Sequence, residues 1–269
     1  MAPEPQFLAT AVATALEAGR IQRRYFRQQP EIQKKGRIDL VTAADLEVER
    51  MFRERITERF PEHVVLGEET ADTGRTSSSG HRWIIDPVDG TTNFAHGLAI
   101  FCVSIALEID GRVDLGVVYD PMADELFTAE RGGGARLNGE PLQVSTTTTL
   151  VDALLVTGFP YSVREDPRHH VDLFGSFLRE AQAVRRLGSA ALDLCYVAAG
   201  RLDGYWEGKL HPWDMAAGAL ILTEAGGTVS DYDNRALDIF GGKLVASNGA
   251  LHAAMLATIG ARLPVDPTD

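Results

Sequence analysis

Two aspartates three residues apart, Asp86 and Asp89, follow the apolar run Trp83-Ile84-Ile85, and Gly90-Thr91-Thr92-Asn93-Phe94 comes straight after them. Carboxylates at a strand's end beside free backbone N–H groups enclose a small volume that suits hard cations and a phosphate together. Carboxylates alone repel a phosphate, so cations must lie between them. An oxygen-only donor set, the Val88 carbonyl included, selects Mg²⁺, with Mn²⁺ as a substitute. Two further acidic motifs stand far apart in the chain, Gly67-Glu68-Glu69 and Trp213-Asp214. Read singly, each has a plainer explanation. Asp-Pro and Asp-Gly make turns. Gly-Glu-Glu makes a solvated turn. Asp214, two residues after Pro212, suits the first turn of a helix. Glu207 reads as a surface acid, and Gly188-Ser189-Ala190 as a strand-to-helix turn offering backbone donors to an anionic or hydroxylated ligand. Together they point to one metal-dependent site acting on a phosphate.

Those residues need elements to bring them together. Residues 7–27 carry apolar side chains at helical spacing, among them Leu8, Val12, Leu16, Ile21 and Phe26, and Pro30 stops the run. Residues 42–60 read as a second helix with Thr42 as N-cap, Asp45 three positions on, and Leu46, Val48, Met51, Phe52 and Ile56 as its apolar side. Strands are expected at 64–66 and 83–85, with a polar Ser/Thr/Gly loop at 70–80 between them. Asp110-Gly111 joins strands at 102–109 and 112–119, and Asn138-Gly139 marks another tight turn after strands at 125–129 and 135–137. After the Thr146–Thr149 tract the pattern changes to strands at 153–157, 183–185, 204–206, 227–230 and 244–246. These alternate with helices at 167–181, 189–199, 212–225 and 251–261. The expected organisation is an α+β half over residues 1–145, carrying Glu68, Asp86 and Asp89, and an α/β half over 146–269, carrying Asp214 and the substrate side.

With 269 residues and 45% hydrophobic content the chain has material for a sizeable core. A formal charge of −12 argues against a nucleic-acid partner. No apolar stretch is long enough for a bilayer, and the start Met1-Ala2-Pro3-Glu4-Pro5 lacks a secretory pattern, so a cytoplasmic location and no membrane partner are expected. Cys102 and Cys195 sit in separate apolar runs and read as buried thiols rather than a disulfide or zinc site.

Five pieces, in order, resemble the inositol monophosphatase family of Mg²⁺-dependent, lithium-sensitive phosphatases. They are Asp39-Leu40-Val41-Thr42-Ala43-Ala44-Asp45, Gly67-Glu68-Glu69, Trp83 through Phe94, Gly188 through Asp193, and Trp213 through Gly218. The resemblance implies a layered αβαβα sandwich and two or three Mg²⁺ per site. It makes Glu68, Asp86 and the Val88 carbonyl ligands of the first metal, and Asp86, Asp89 and Asp214 ligands of the second. A third, weaker ion leans on Glu68. Thr91 positions the attacking water and Asp45 bonds that threonine. Gly90 and Thr91 hold the phosphate by their N–H groups. Asp89, Ser189, Ala190, Glu207 and Asp214 line the substrate side, and Lys34 matches a basic position near the metals. His96, His169, His170 and His211 are not needed as bases. The implied activity is hydrolysis of a small polyol phosphate monoester, myo-inositol 1-phosphate first. Fructose 1,6-bisphosphate, histidinol phosphate and 3′-phosphoadenosine phosphates are alternatives with the same chemistry, and Arg164, Arg168 or Arg186 are candidates for a second phosphate. A homodimer and an added role in a transcription complex are also implied.

Overall fold

The strand His81–Asp89 (β4) sets the geometry on which the rest depends. The computed structural model describes residues 5–26, 32–34, 40–70, 79–165 and 167–261. β4 continues four residues beyond the apolar run because its pairing with Cys102–Ile109 (β5) resumes past Pro87. Asp86 pairs with Ser104 and Asp89 with Cys102. Three steps on β4 thus match two on β5, a one-residue bulge. Pro87, with no N–H to offer a ladder, sits inside it. In a regular strand residues 86 and 89 would point to opposite faces. The extra residue returns both aspartates to one face.

β4 belongs to a seven-stranded sheet in the order Val64–Gly67 (β3), β4, β5, Arg112–Asp120 (β6), Glu125–Glu130 (β7), Ala135–Leu137 (β8) and Glu140–Pro141 (β9). Only β3 and β4 run parallel in it; the other pairs are antiparallel. The second sheet has five strands in the order Ala183–Arg185 (β11), Leu154–Thr157 (β10), Gly204–Gly208 (β12), Lys243–Ser247 (β14) and Thr228–Ser230 (β13). β10 lies parallel to both its neighbours, and β14 antiparallel to both of its own. A ribbon of Ile32–Lys34 (β1) and Leu40–Thr42 (β2), which sequence reading did not anticipate, leads into the second helix.

Five layers result, as the resemblance implied. Helices Pro5–Phe26 (α1) and Ala43–Arg59 (α2) cover one face of the larger sheet. Phe7, Ala11, Ala15, Ala18, Val48, Phe52 and Ile56 meet Trp83, Ile85, Val103, Ile105 and Leu107 there. Ala190–Ala198 (α5) and Pro212–Glu224 (α6) fill the space between the sheets. Their Leu192, Leu194, Met215 and Ile221 cluster with Ile84, Ala106 and Val118 on one side and Val156, Tyr205 and Leu244 on the other. Pro167–Glu180 (α4) and His252–Gly260 (α7) close the outer face of the smaller sheet through Leu173, Phe177, Met255 and Ile259. Asp86 and Ile84 share a side of β4, so the acidic pair faces the α5/α6 layer. Among the described residues no helix is long and apolar enough to cross a membrane. Cys102 and Cys195 are buried free thiols.

The start of α2 follows its sequence signals; its buried face does not. Thr42 accepts from the Ala44 N–H, and the Asp45 carboxylate takes the Thr42 N–H (2.9 Å) and hydroxyl (2.5 Å). Leu46, assigned above to the apolar side, is 47% exposed. The buried positions are Ala44, Asp45, Val48, Glu49, Phe52 and Ile56, so two acids lie on the inner face. Thr42→Ala removes the cap and is expected to lower stability by about 1 kcal/mol, or roughly 2–4 °C in melting temperature. An unchanged melting curve would show that the box adds nothing.

Candidate active site

Asp86, Asp89 and Asp214 each place one carboxylate oxygen within 4.8 Å of the others. Each acid is held by backbone amides. The Val88 N–H donates to Asp86 Oδ1 (2.9 Å), as the bulge folds the chain back over it. The His211 N–H donates to Asp214 Oδ2 (2.6 Å) in a capping box at the start of α6, behind Pro212 at the first helical position. Ser104 Oγ on β5 donates to the Trp213 carbonyl (3.0 Å) and ties that helix start to the sheet. His211 stacks on Trp213 with ring centroids 4.8 Å apart.

Asp89 has the richest shell. It accepts the Ser189 hydroxyl (2.5 Å) and the N–H groups of Ala191 (2.8 Å) and Ala190 (3.2 Å), with the Cys102 thiol at 3.6 Å. Ser189 precedes α5 yet makes no capping bond to it. Asp89 caps that helix from 100 residues away, where the positive end of the helix dipole favours a carboxylate. Ser189 and Ala190 are thus engaged by Asp89 in this arrangement. The Ala190 bond is the longest of the three.

The parallel register of β3 and β4 ends with Gly67 beside Ile85, so Glu68 leaves its strand alongside Asp86. Burial first, then the charges of Glu68, Asp89, Asp214 and Asp45, push the Asp86 carboxyl well above the usual range. Asp214 is raised for the same kind of reason, burial and then Asp89, against the opposing His211 N–H. Asp89 is raised by burial and relieved by its donors from Ser189, Ala191, Ala190 and Cys102. No cationic side chain is among the chief causes of these shifts. A cluster of hard oxygen donors that repel one another fits a divalent cation, and the donor set matches Mg²⁺ or Mn²⁺ in kind.

Gly90 turns the chain out of β4 at φ 98°, where an L side chain is strained, and a Cβ there would lie 2.9 Å from the Ile100 carbonyl. The short helix Thr91–Ala95 (α3) starts next, with Thr91 buried and its hydroxyl on the Val88 carbonyl oxygen (2.9 Å). That hydroxyl's single hydrogen goes to Val88, and Asp45 Oδ2 accepts from Thr42. On the far wall Glu207 accepts the Tyr205 hydroxyl (2.6 Å). Burial raises Glu207 to about 7, against relief from Tyr205 and from the positive charge of Arg186. The Lys34 side chain and residues 71–78 of the 70–80 loop lie outside the described residues.

Between its ordinary 4.5 and about 7, Glu207 binds its proton more tightly in the folded state than in the unfolded one. Stability from this group therefore falls as pH rises through that window. Denaturant midpoints measured from pH 4.5 to 7 are expected to fall more steeply in the wild type than in Glu207→Gln. Equal slopes would remove Glu207 from the buried set.

Sequence reasoning missed three residues. Gln22 lies on the buried stripe of α1, four positions after Ala18, and its Nε2 donates to the Pro87 carbonyl (2.7 Å) inside the bulge. A polar residue on that stripe was the available signal. Glu49 stands on the inner face of α2 and grips the turn after β3. Asp193 is buried on α5 and pushed well up by burial and by the nearby Glu207 and Asp89, with Oδ1 lacking a hydrogen-bond partner.

The family model for the inositol monophosphatase family matches residues 4–262. The chain belongs to this family. It is 48% identical over 232 residues to inositol-1-monophosphatase of Synechocystis sp., covering 86% of this chain and 80% of that one. It is 42% identical over 254 residues to the Nus factor SuhB of Escherichia coli K12, covering 94% and 95% respectively. The solved inositol monophosphatase of Anabaena (Nostoc) sp. PCC 7120 superposes with a TM-score of 0.87 at 43% identity, covering 97% of each chain. The acidic cluster falls on the pieces that carry the resemblance to the family.

Proposed function

We propose that this chain hydrolyses phosphate monoesters of small polyols, myo-inositol 1-phosphate first, with Mg²⁺ as cofactor and Mn²⁺ as a substitute. The observation that carries the reading is the convergence of Asp86, Asp89 and Asp214 within 4.8 Å from segments more than 120 residues apart, beside the Gly90–Thr91 turn. Glu68, Asp86 and the Val88 carbonyl would hold one ion, Asp86, Asp89 and Asp214 a second, and Glu68 with solvent a weaker third. Bound Mg²⁺ supplies Lewis acidity toward phosphate oxygens and acidifies water. The protein's own groups do the rest. The N–H groups of Gly90 and Thr91 bind the phosphate and stay aimed at its developing charge. The Thr91 hydroxyl, fixed on Val88 by its own hydrogen, orients the incoming water by accepting a hydrogen bond from it. Asp89, Ala190 and Glu207 bind ring hydroxyls and set the leaving oxygen in line with the attack. The name of the Synechocystis relative supports the inositol phosphate substrate.

Phosphate release from inositol 1-phosphate, fructose 1,6-bisphosphate, histidinol phosphate and 3′-phosphoadenosine 5′-phosphate, each with Mg²⁺ or with chelator, tests this. Mg²⁺-dependent turnover led by the inositol ester is expected. No turnover on any of the four would sink it. Lithium inhibition and a homodimer belong to the same reading, and a lithium titration and sedimentation check them. An added role in a transcription complex is supported by the 42% identity to a Nus factor. Co-purification with RNA polymerase and its elongation factors checks that role.

A further inference from the structure

We propose that Glu49 is the positioning residue for Glu68: from the inner face of α2 it clamps the turn after β3 so that the Glu68 carboxylate is presented to the metal site. Glu49 is 2% exposed, rare for a glutamate unless its charge is fully bonded. Its Oε2 accepts the Glu69 N–H (2.8 Å), and its Oε1 accepts the Thr70 N–H (3.1 Å) and the Thr70 hydroxyl. Arg53, one turn on, donates Nε to Glu49 Oε1 (2.9 Å), Nη1 to the Val65 carbonyl (3.2 Å) and Nη2 to the Thr70 carbonyl (2.8 Å). The pair therefore holds the chain on both sides of Glu68. Gly67 completes the fit, since a Cβ there would lie 2.5–2.7 Å from the Glu49 carboxylate atoms. Three consecutive residues thus have separate tasks: Gly67 admits Glu49, Glu69 gives it an N–H, and Glu68 between them leaves β3 alongside Asp86. A carboxylate takes several donors at once, whereas a glutamine has one acceptor oxygen and brings an NH₂ against N–H groups already pointing in.

The inference rests on Glu68 being a metal ligand, and the test separates the two ideas. Mn²⁺ binding to metal-free protein is followed by electron paramagnetic resonance for the wild type, Glu68→Gln, Glu49→Gln and Thr70→Val, with a melting curve for each. Glu68→Gln is expected to weaken one class of Mn²⁺ site. Glu49→Gln should weaken that same class about 10–100-fold, leave the other class within about threefold, and keep a cooperative melt. Thr70→Val, which removes one donor without touching the backbone, should weaken it about threefold, and it decides the matter if Glu49→Gln does not fold. Unchanged Mn²⁺ binding in Glu49→Gln or, failing that, in Thr70→Val, while Glu68→Gln loses a site, overturns the positioning role. So does equal weakening of both classes, which marks a general structural role. If Glu68→Gln binds Mn²⁺ like the wild type, the ligand role of Glu68 falls, and this proposal with it.

Discussion

Asp86→Asn should melt above the wild type in metal-free buffer at neutral pH while losing about 1,000-fold in phosphatase turnover. The two effects have one cause. Asp86 is desolvated and surrounded by the charges of Glu68, Asp89, Asp214 and Asp45, all of which disfavour its ionised form. An asparagine removes that charge, and its amide oxygen keeps the Val88 N–H bond. Relief of roughly 1–2 kcal/mol corresponds to about 2–8 °C. The same change removes a carboxylate shared by both proposed ions, and a loss of about 1,000-fold is about 4 kcal/mol of transition-state stabilisation. Differential scanning calorimetry in chelator, with phosphate release in Mg²⁺, reads both signs. A variant that melts below the wild type without metal would show that its neighbours do not destabilise Asp86.

The wild type itself should gain stability from the ion it is shaped for. At Mg²⁺ a hundredfold above its dissociation constant the native state gains about 2.7 kcal/mol, and the melting temperature rises by about 5–10 °C. The gain is expected to vanish in Asp86→Asn and to survive in Glu207→Gln, which lies outside the cluster of Asp86, Asp89 and Asp214. Monovalent salt at equal ionic strength should not reproduce it, because screening acts weakly on buried charges. Equal stabilisation of the wild type and Asp86→Asn by Mg²⁺ would place the ion elsewhere.

The acidic motifs were legible in sequence because each is local. Asp86, Asp89 and Gly90 sit at a strand's end, Glu68 follows a short apolar run, and Asp214 follows a proline that starts a helix. The five layers came from the resemblance, and the element order read from periodicity was compatible with them. The helical spacing of residues 42–60 did not reveal which side faces inward, because Asp45 and Glu49 are polar residues serving buried backbone, and an apolar count put Leu46 there instead.

What the chain decides by itself is the inventory and its local geometry: which oxygens exist, on which turns, and, for Asp86 and Asp214, with which capping amides, since these depend on neighbours within four residues. Tertiary structure decided that those oxygens share one volume. The bulge that aims Asp86 and Asp89 to one side exists only against β5. Asp89 becomes the cap of α5 only because that helix starts in the layer which β4 faces, and the clamp of Glu49 on the Glu68 turn needs α2 laid across β3. Each of these joins hydrogen-bonding groups brought together by packing, and no local rule of spacing encodes that meeting.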